Sequence, residues 1–238
     1  MPDQKGDSFE YVRLTKNLLP EAMEVIRTSF WPSENMSVAM GLSKHPELFP
    51  YMDPIVLGAA KDGVSIVALD KATGKIAGVL INKFAGEKDH ALTYDKQLES
   101  SQGLIIKNYL EYLTNLEEKM LEHCKGQTSF EIFLCGVRPE YRKRGIGTKL
   151  HEEAVELAKK LKNGEASRIP VDDDPLENIV PEIITDICTT KVTQKMSQDL
   201  NFTIGSRVDY DSLIFQGESL SAKVPNGTRS ITLNYFKL

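Results

Sequence analysis

Three consecutive cations, Arg142-Lys143-Arg144, run directly into Gly145-Ile146-Gly147-Thr148, with Arg138 just before them and Lys149 just after. Only Glu140 opposes them in that stretch. The apolar run Phe130-Glu131-Ile132-Phe133-Leu134-Cys135-Gly136-Val137 precedes the cluster and reads as a buried strand. Ile146, Leu150, Ala154, Leu157, Ala158 and Leu161 follow at helical spacing and predict a helix over 146–161. The cations therefore stand at a helix N-terminus, where the macrodipole disfavours positive charge by roughly 0.3–1 kcal/mol each. A bound polyanion removes that conflict. The leading backbone N–H groups of a helix have no intrahelical partner and aim at an anion. Gly145 and Gly147 have no Cβ to block its close approach. Farther along the helix Glu152, Glu153 and Glu156 precede Lys159, Lys160 and Lys162, the favourable order, so the anomaly is confined to the entry. The competing reading is a solvated basic loop with ordinary turn glycines.

The elements that position this stretch follow from periodicity. Strands are expected over 9–14, 64–69, 76–84, 129–137, 182–188, 202–210 and 230–238, with a hairpin turn at Asp70-Lys71-Ala72-Thr73-Gly74. Helices are expected over 18–29, capped by Asn17, over 35–42, 46–60, 104–124 and 146–161, and over 189–200. The polar stretches 85–102, 163–181 and 211–228 read as loops. Trp31-Pro32-Ser33-Glu34-Asn35 breaks the first helix and leaves a lone carboxylate beside two aromatics. Hairpins mixed with crossovers imply an α/β chain with a mixed sheet of seven strands and helices on both faces.

With 238 residues, 41% hydrophobic and 26% charged, the chain has a globular composition, and no linker divides it. A net charge of −5 argues against general nucleic-acid binding and makes the basic cluster a local exception. Cys124, Cys135 and Cys188 offer neither a disulfide framework nor a zinc spacing. Asp172-Asp173-Asp174 lacks the spacing of an EF-hand loop, so no metal is expected. Polar opening residues and the absence of a long apolar run predict no signal peptide, no membrane span and a cytoplasmic location. His45, His90, His123 and His151 are scattered and read as surface or structural residues.

Arg142-Lys143-Arg144-Gly145-Ile146-Gly147 resembles the Gln/Arg-x-x-Gly-x-Gly/Ala signature of the GNAT superfamily of N-acetyltransferases, and lies where that family has it, after the fourth strand. The order of elements is similar over nearly the whole chain. Within the superfamily the chain most resembles the insect arylalkylamine, or dopamine, N-acetyltransferases. That closer likeness rests on Ser29-Phe30-Trp31-Pro32-Ser33-Glu34, on Cys135-Gly136-Val137-Arg138-Pro139-Glu140-Tyr141-Arg142, and on Ile187-Cys188-Thr189-Thr190-Lys191-Val192-Thr193. It implies an acyl-CoA N-acyltransferase fold with a mostly antiparallel sheet. It also implies one N-acetyltransferase domain over 1–238, with an acetyl-CoA-binding core over about 129–205 and acceptor-side elements over about 15–60 and 206–230. Backbone groups of Cys135, Gly136 and Val137 would pair with the pantetheine arm of acetyl-CoA. N–H groups of Arg142, Lys143, Arg144, Gly145, Ile146, Gly147 and Thr148 would hold its pyrophosphate. Glu34 falls at the family's proposed general base, and Thr189 and Thr193 fall at two catalytic serines. Asn35 departs from the proline that follows that glutamate in the family.

The implied reaction is acetylation of a small primary amine, with a monomer as the expected state. An alkylamine is protonated near pH 7 and must lose a proton before attacking a thioester, which a carboxylate such as Glu34 can accept. The tetrahedral oxyanion then needs aimed donors, which the fourth strand's backbone can supply. Phe30, Trp31 and Tyr51 are expected to help line the amine pocket. Cys135, in an apolar strand, is expected to be inert, which favours direct transfer. For Thr189 the competing role is a helix cap. The alternatives are the same chemistry on a polyamine, an aliphatic amine or a protein amine, or a CoA-binding module without turnover.

Overall fold

The computed structural model describes residues 8–85, 101–176 and 178–238. The expected loop at 85–102 and His90 lie almost wholly outside them. Strands β1 (Phe9–Arg13), β2 (Ile66–Asp70), β3 (Ile76–Ala85), β4 (Ser129–Val137), β5 (Ile183–Cys188), β6 (Thr203–Asp209) and β9 (Ser230–Lys237) form one sheet in the order β1-β2-β3-β4-β5-β9-β6. Every neighbouring pair is antiparallel except β4 with β5. A two-stranded hairpin, β7 (Ile214–Phe215) and β8 (Glu218–Ser219), forms inside the stretch expected to be loop.

Alternation along the strands divides the core into two layers. Ile66, Ala68, Ala77, Leu80, Phe130, Ile132 and Ile184 face α5 (Ile146–Lys162), which buries Ile146, Leu150, Ala154, Leu157, Ala158 and Leu161 against them. Val67, Val79, Ile81, Leu134, Ile183 and Leu233 face the opposite layer. That layer holds α1 (Leu19–Val25), α2 (Asn35–Ala39), α3 (Asp53–Lys61) and α4 (Ser101–Cys124). Helix α6 (Lys191–Asp199) follows β5.

Three local details differ from expectation. Asn17 does not cap α1: the N-cap is Leu18, without a side-chain bond, and Glu21 of the first turn accepts instead from the Ile76 N–H at 3.0 Å. The helix widens into a π turn over Ile26–Phe30, where Trp31 N–H reaches back to the Ile26 carbonyl at 3.2 Å. The stretch 46–60 divides into a 3-10 segment (Pro46–Met52) and α3. In the acidic stretch, Asp173 pairs with Lys16, and Asp172 and Asp174 pair with Lys61.

Candidate active site

The parallel β4–β5 pair ends at Ile132 and Asp186. Beyond that point β4 stays paired with β3, while Phe133 through Val137 has no partner on β5. A bulge begins the divergence: Ile81 pairs with Leu134 and Asn82 with Ile132, so Phe133 is an extra residue that bends the strand. Cys135, Gly136 and Val137 lie on this open stretch.

At its far end the chain turns into α5. Gly145 is the helix N-cap at φ 79°, a left-handed conformation that glycine adopts freely. The first bond of the helix runs from Lys149 N–H to the Gly145 carbonyl at 3.0 Å. Ahead of it, the N–H groups from Lys143 to Thr148 have no backbone acceptor among the described residues. Of the N–H groups expected to hold a pyrophosphate, those of residues 143–148 are thus left open, while the Arg142 N–H donates to the Pro139 carbonyl at 3.3 Å. The cationic side chains behave differently from the expected anion-facing cluster. Arg138 bonds the Ile76 carbonyl at 2.8 Å and pairs with Glu21 and Glu24. Arg142 ties the loop to the π turn, donating to the Val137 and Ser29 carbonyls at 3.1 and 3.0 Å. Arg144 lies over the Phe9 ring at 4.5 Å, and Lys149 pairs with Glu152 and Glu153. Lys143, held at φ 61°, has no side-chain partner among the described residues.

Glu34 is 6% exposed and is the N-cap of α2. Its Oε1 accepts from Met36 N–H at 2.9 Å, and its Oε2 from Ser37 N–H at 2.7 Å and the Tyr109 hydroxyl at 3.2 Å. Burial first, then the charge of Glu34, holds the Tyr109 phenol well above its ordinary pKa, so it stays a donor. Asn35 uses its amide to bridge α2 to the Thr189 carbonyl at 2.7 Å, which the Tyr210 hydroxyl also meets at 2.8 Å. Glu34 opens into one cleft with Phe30, Tyr109, Leu113, Leu116, Glu131, Phe133, Cys135, His151, Asp186, Thr189 and Thr193. The structure thus brings Glu34, Cys135 and both threonines together from four separate elements.

The two threonines separate by role. The cap of α6 is Thr190, whose hydroxyl accepts from Thr193 N–H at 3.1 Å. Thr193 completes a capping box, its hydroxyl donating to the Thr190 carbonyl at 3.1 Å and accepting from Thr190 N–H at 3.3 Å. Thr189, the expected cap, lies one residue ahead of it and lines the cleft. Of the expected aromatic lining only Phe30 is present: Trp31 is fully buried between Phe30 and Tyr109, and Tyr51 is exposed.

Other lining residues were not anticipated. Tyr109, Leu113 and Leu116 come from α4, whose apolar stripe reads equally well as plain core. His151 and Asp186 are buried polar groups at the base of the cleft, and their approach depends on the β4–β5 divergence. Burial works against a charged His151, but its hydrogen bond with Cys135, the negative charge of Asp186 and the Gly147 carbonyl outweigh it and raise its pKa to about 9. Burial pushes the Asp186 carboxyl up, against the pull of His151 and Cys188. The other described histidines fit the structural reading: His123 stacks on Tyr235, and His45 pairs with Glu47 at the surface.

No curated protein matches the chain by sequence. Among solved structures it is similar to arylalkylamine N-acetyltransferase 2 from Aedes aegypti, with a TM-score of 0.74 and 20% identity over 97% of this chain and 99% of that one. It is also similar to the putative arylalkylamine N-acetyltransferase 7 of the same mosquito, with a TM-score of 0.74 and 16% identity over 96% and 87%. The polyamine N-acetyltransferase of Drosophila melanogaster follows at 0.69 and 15% over 97% and 100%. At these identities what is shared is the fold. Residues 30–174, which include Glu34, the open strand and the basic loop into α5, match the acetyltransferase (GNAT) family. That match spans more than half of the sequence, and the protein belongs to this family of acetyl-CoA-dependent acetyltransferases.

Proposed function

We propose that the protein transfers the acetyl group of acetyl-CoA to the primary amine of a small arylalkylamine by direct attack, with Glu34 as general base. The observation that carries this reading is the buried Glu34 carboxylate opening into the cleft that contains the β4–β5 divergence. In this reading the N–H groups of Lys143 to Thr148 hold the pyrophosphate, and the open backbone of Cys135, Gly136 and Val137 pairs with the pantetheine amides. The thioester carbonyl then lies near the bulge at Phe133, where a β4 N–H can meet the developing oxyanion. Glu34 is held by three donors, so its oxygens point in fixed directions and take the ammonium proton directly or through one water. The Thr189 hydroxyl is the better placed of the two threonines to contact the reacting groups, because the single proton of Thr193 is engaged in its cap.

The donor half is about 129–205, and the acceptor side combines about 15–60 and 206–230 with α4, which supplies Tyr109, Leu113 and Leu116. Phe30 from the acceptor side, with Phe133 and Ile187 facing it from the donor half, gives the cleft an apolar, aromatic wall, which favours an aryl tail on the amine. Glu131 favours a second reading, a polyamine acceptor, since it is a buried carboxylate on the same wall. Its charge is already met by Lys83 at 3.5 Å, so the arylalkylamine stands first. The test is thiol release from acetyl-CoA with a panel of arylalkylamines, diamines and aliphatic amines. Turnover highest on arylalkylamines is the expected result. Turnover confined to diamines selects the second reading, and CoA binding without turnover on any amine overturns both.

A further inference from the structure

The reaction above has a proton acceptor for the amine but no donor for the departing thiolate. Thr193 is committed to the capping box, and a threonine hydroxyl is a poor acid beside a thiol. His151 is placed differently. It is 1% exposed, lies one helical turn after Gly147, and lines the same cleft as Glu34. A carbonyl only accepts, so the 2.8 Å contact between His151 Nδ1 and the Gly147 oxygen requires Nδ1 to carry a hydrogen. That leaves Nε2 for the Cys135 side of the ring, toward the open strand.

The surroundings of the ring are sparse in charge. Strand β4 contributes Cys135. Strand β5 contributes the buried Asp186, whose Oδ2 also takes the Cys188 S–H at 3.1 Å. Strands β2 and β3 meet α5 through Ile66, Ala68, Ala77 and Leu80, none of them titratable. On α5 itself Lys149, Glu152 and Glu153 pair with one another at the surface, and on α6 Lys195 pairs outward with Asp199. Across the cleft Glu34 and Tyr109 are bonded to each other. Asp186 is therefore the anionic neighbour that His151 meets from the adjoining strands.

We propose that His151 is the proton donor to the departing CoA sulfur, with Asp186 as its buried counter-charge and the Gly147 carbonyl fixing its orientation. This rests on the acetyl-transfer reading above. When the tetrahedral intermediate collapses, the C–S electron pair moves onto sulfur, and the Nε2 proton moves to that sulfur as CoA leaves. The ammonium loses two protons over the reaction. Glu34 takes them to solvent, and solvent returns one to His151, so the net products are amide, CoA thiol and one released proton. A raised His151 pKa near 9 keeps the donor charged at neutral pH, within the range of thiol ionisation.

The test compares wild type, His151→Asn and His151→Gln, with CoA and desulfo-CoA as probes. The asparagine amide can keep the bond to the Gly147 carbonyl while lacking Nε2, and the glutamine variant serves if that one fails to fold. In wild type the sulfur leaves with its proton, so the ultraviolet difference between bound CoA and bound desulfo-CoA is expected to show thiol and no thiolate at pH 7–8, and kcat/KM is expected to fall on the alkaline side as His151 loses its proton. The variant is expected to bind CoA, to lose the alkaline limb of kcat/KM, and to turn over about 10²-fold more slowly, the low end for general acid catalysis. A wild-type complex that holds thiolate at pH 7–8, or a variant that keeps the alkaline limb, overturns the proposal and leaves acetyl transfer standing. A wild type that fails to bind CoA overturns the acetyl-transfer reading itself.

Discussion

Replacing Glu34 by aspartate keeps a preferred N-cap residue on α2 but withdraws the carboxylate by one methylene from the cleft. Replacing it by alanine removes the cap as well. The cap is worth about 1 kcal/mol and the base about 10²- to 10⁴-fold in rate. Glu34→Ala is therefore expected to lose both stability and turnover, and Glu34→Asp only turnover. Denaturant melts beside thiol-release rates separate the two contributions. Equal losses of turnover with wild-type CoA affinity identify the carboxylate as the base, and full activity in Glu34→Asp argues for a cap alone. His151 supplies a second prediction at this scale. Its folded pKa, about 9, lies above the ordinary 6.5, so its contribution to stability is complete below pH 6.5 and is lost as pH rises through about 9. Thermal melts without CoA should fall across that window by about 1–3 kcal/mol, and His151→Asn should flatten the dependence.

At the scale of the element, the turn from β4 into α5 separates charge from cradle. The sequence shows a block of cations, yet Arg138, Arg142 and Arg144 fasten the loop to α1, the π turn and β1. Those contacts resolve most of the conflict with the helix dipole internally, leaving the backbone N–H groups of 143–148 and the Lys143 side chain for the phosphates of the proposed CoA complex. Arg138→Ala is thus expected to cost about 1–3 kcal/mol of stability, since it leaves a carbonyl and two carboxylates without their cation. The salt dependence of CoA affinity should survive that change. Lys143→Gly should do the opposite: it relieves a left-handed non-glycine residue, a gain of up to about 1 kcal/mol, and weakens CoA binding with a shallower salt dependence. Titrating CoA at two ionic strengths in both variants checks the pair. Gly147→Glu places a side chain against Met196 and a negative charge in the cradle, so CoA affinity should collapse.

For the whole molecule, the decisive placement is that of the last strand. β9 enters between β5 and β6, so the β5 wall of the cleft is held on one side by a segment nearly fifty residues later in sequence. Leu233 is fully buried there, and Leu233→Ala is expected to cost about 2–5 kcal/mol and to weaken CoA binding as β5 loosens. Calorimetry and CoA titration on that variant measure both effects. The amino-acid sequence by itself determined the strands, the main helices and the glycine turn at the start of α5, because those depend on local periodicity and on glycines at a helix start. It also pointed to Glu34, through a helix break beside aromatics and the resemblance that aligned it. It did not determine which cations face the anion, because Arg138 meets Glu21 and Glu24 only after the sheet forms. Nor could it show that Trp31 turns into the core, that Thr190 takes the cap from Thr189, or that α4 lines the cleft. His151 looked isolated in sequence, and only tertiary structure joins it to Cys135 and Asp186. Those groups come from a helix and two strands that converge where the sheet opens, and a linear spacing carries no record of that meeting.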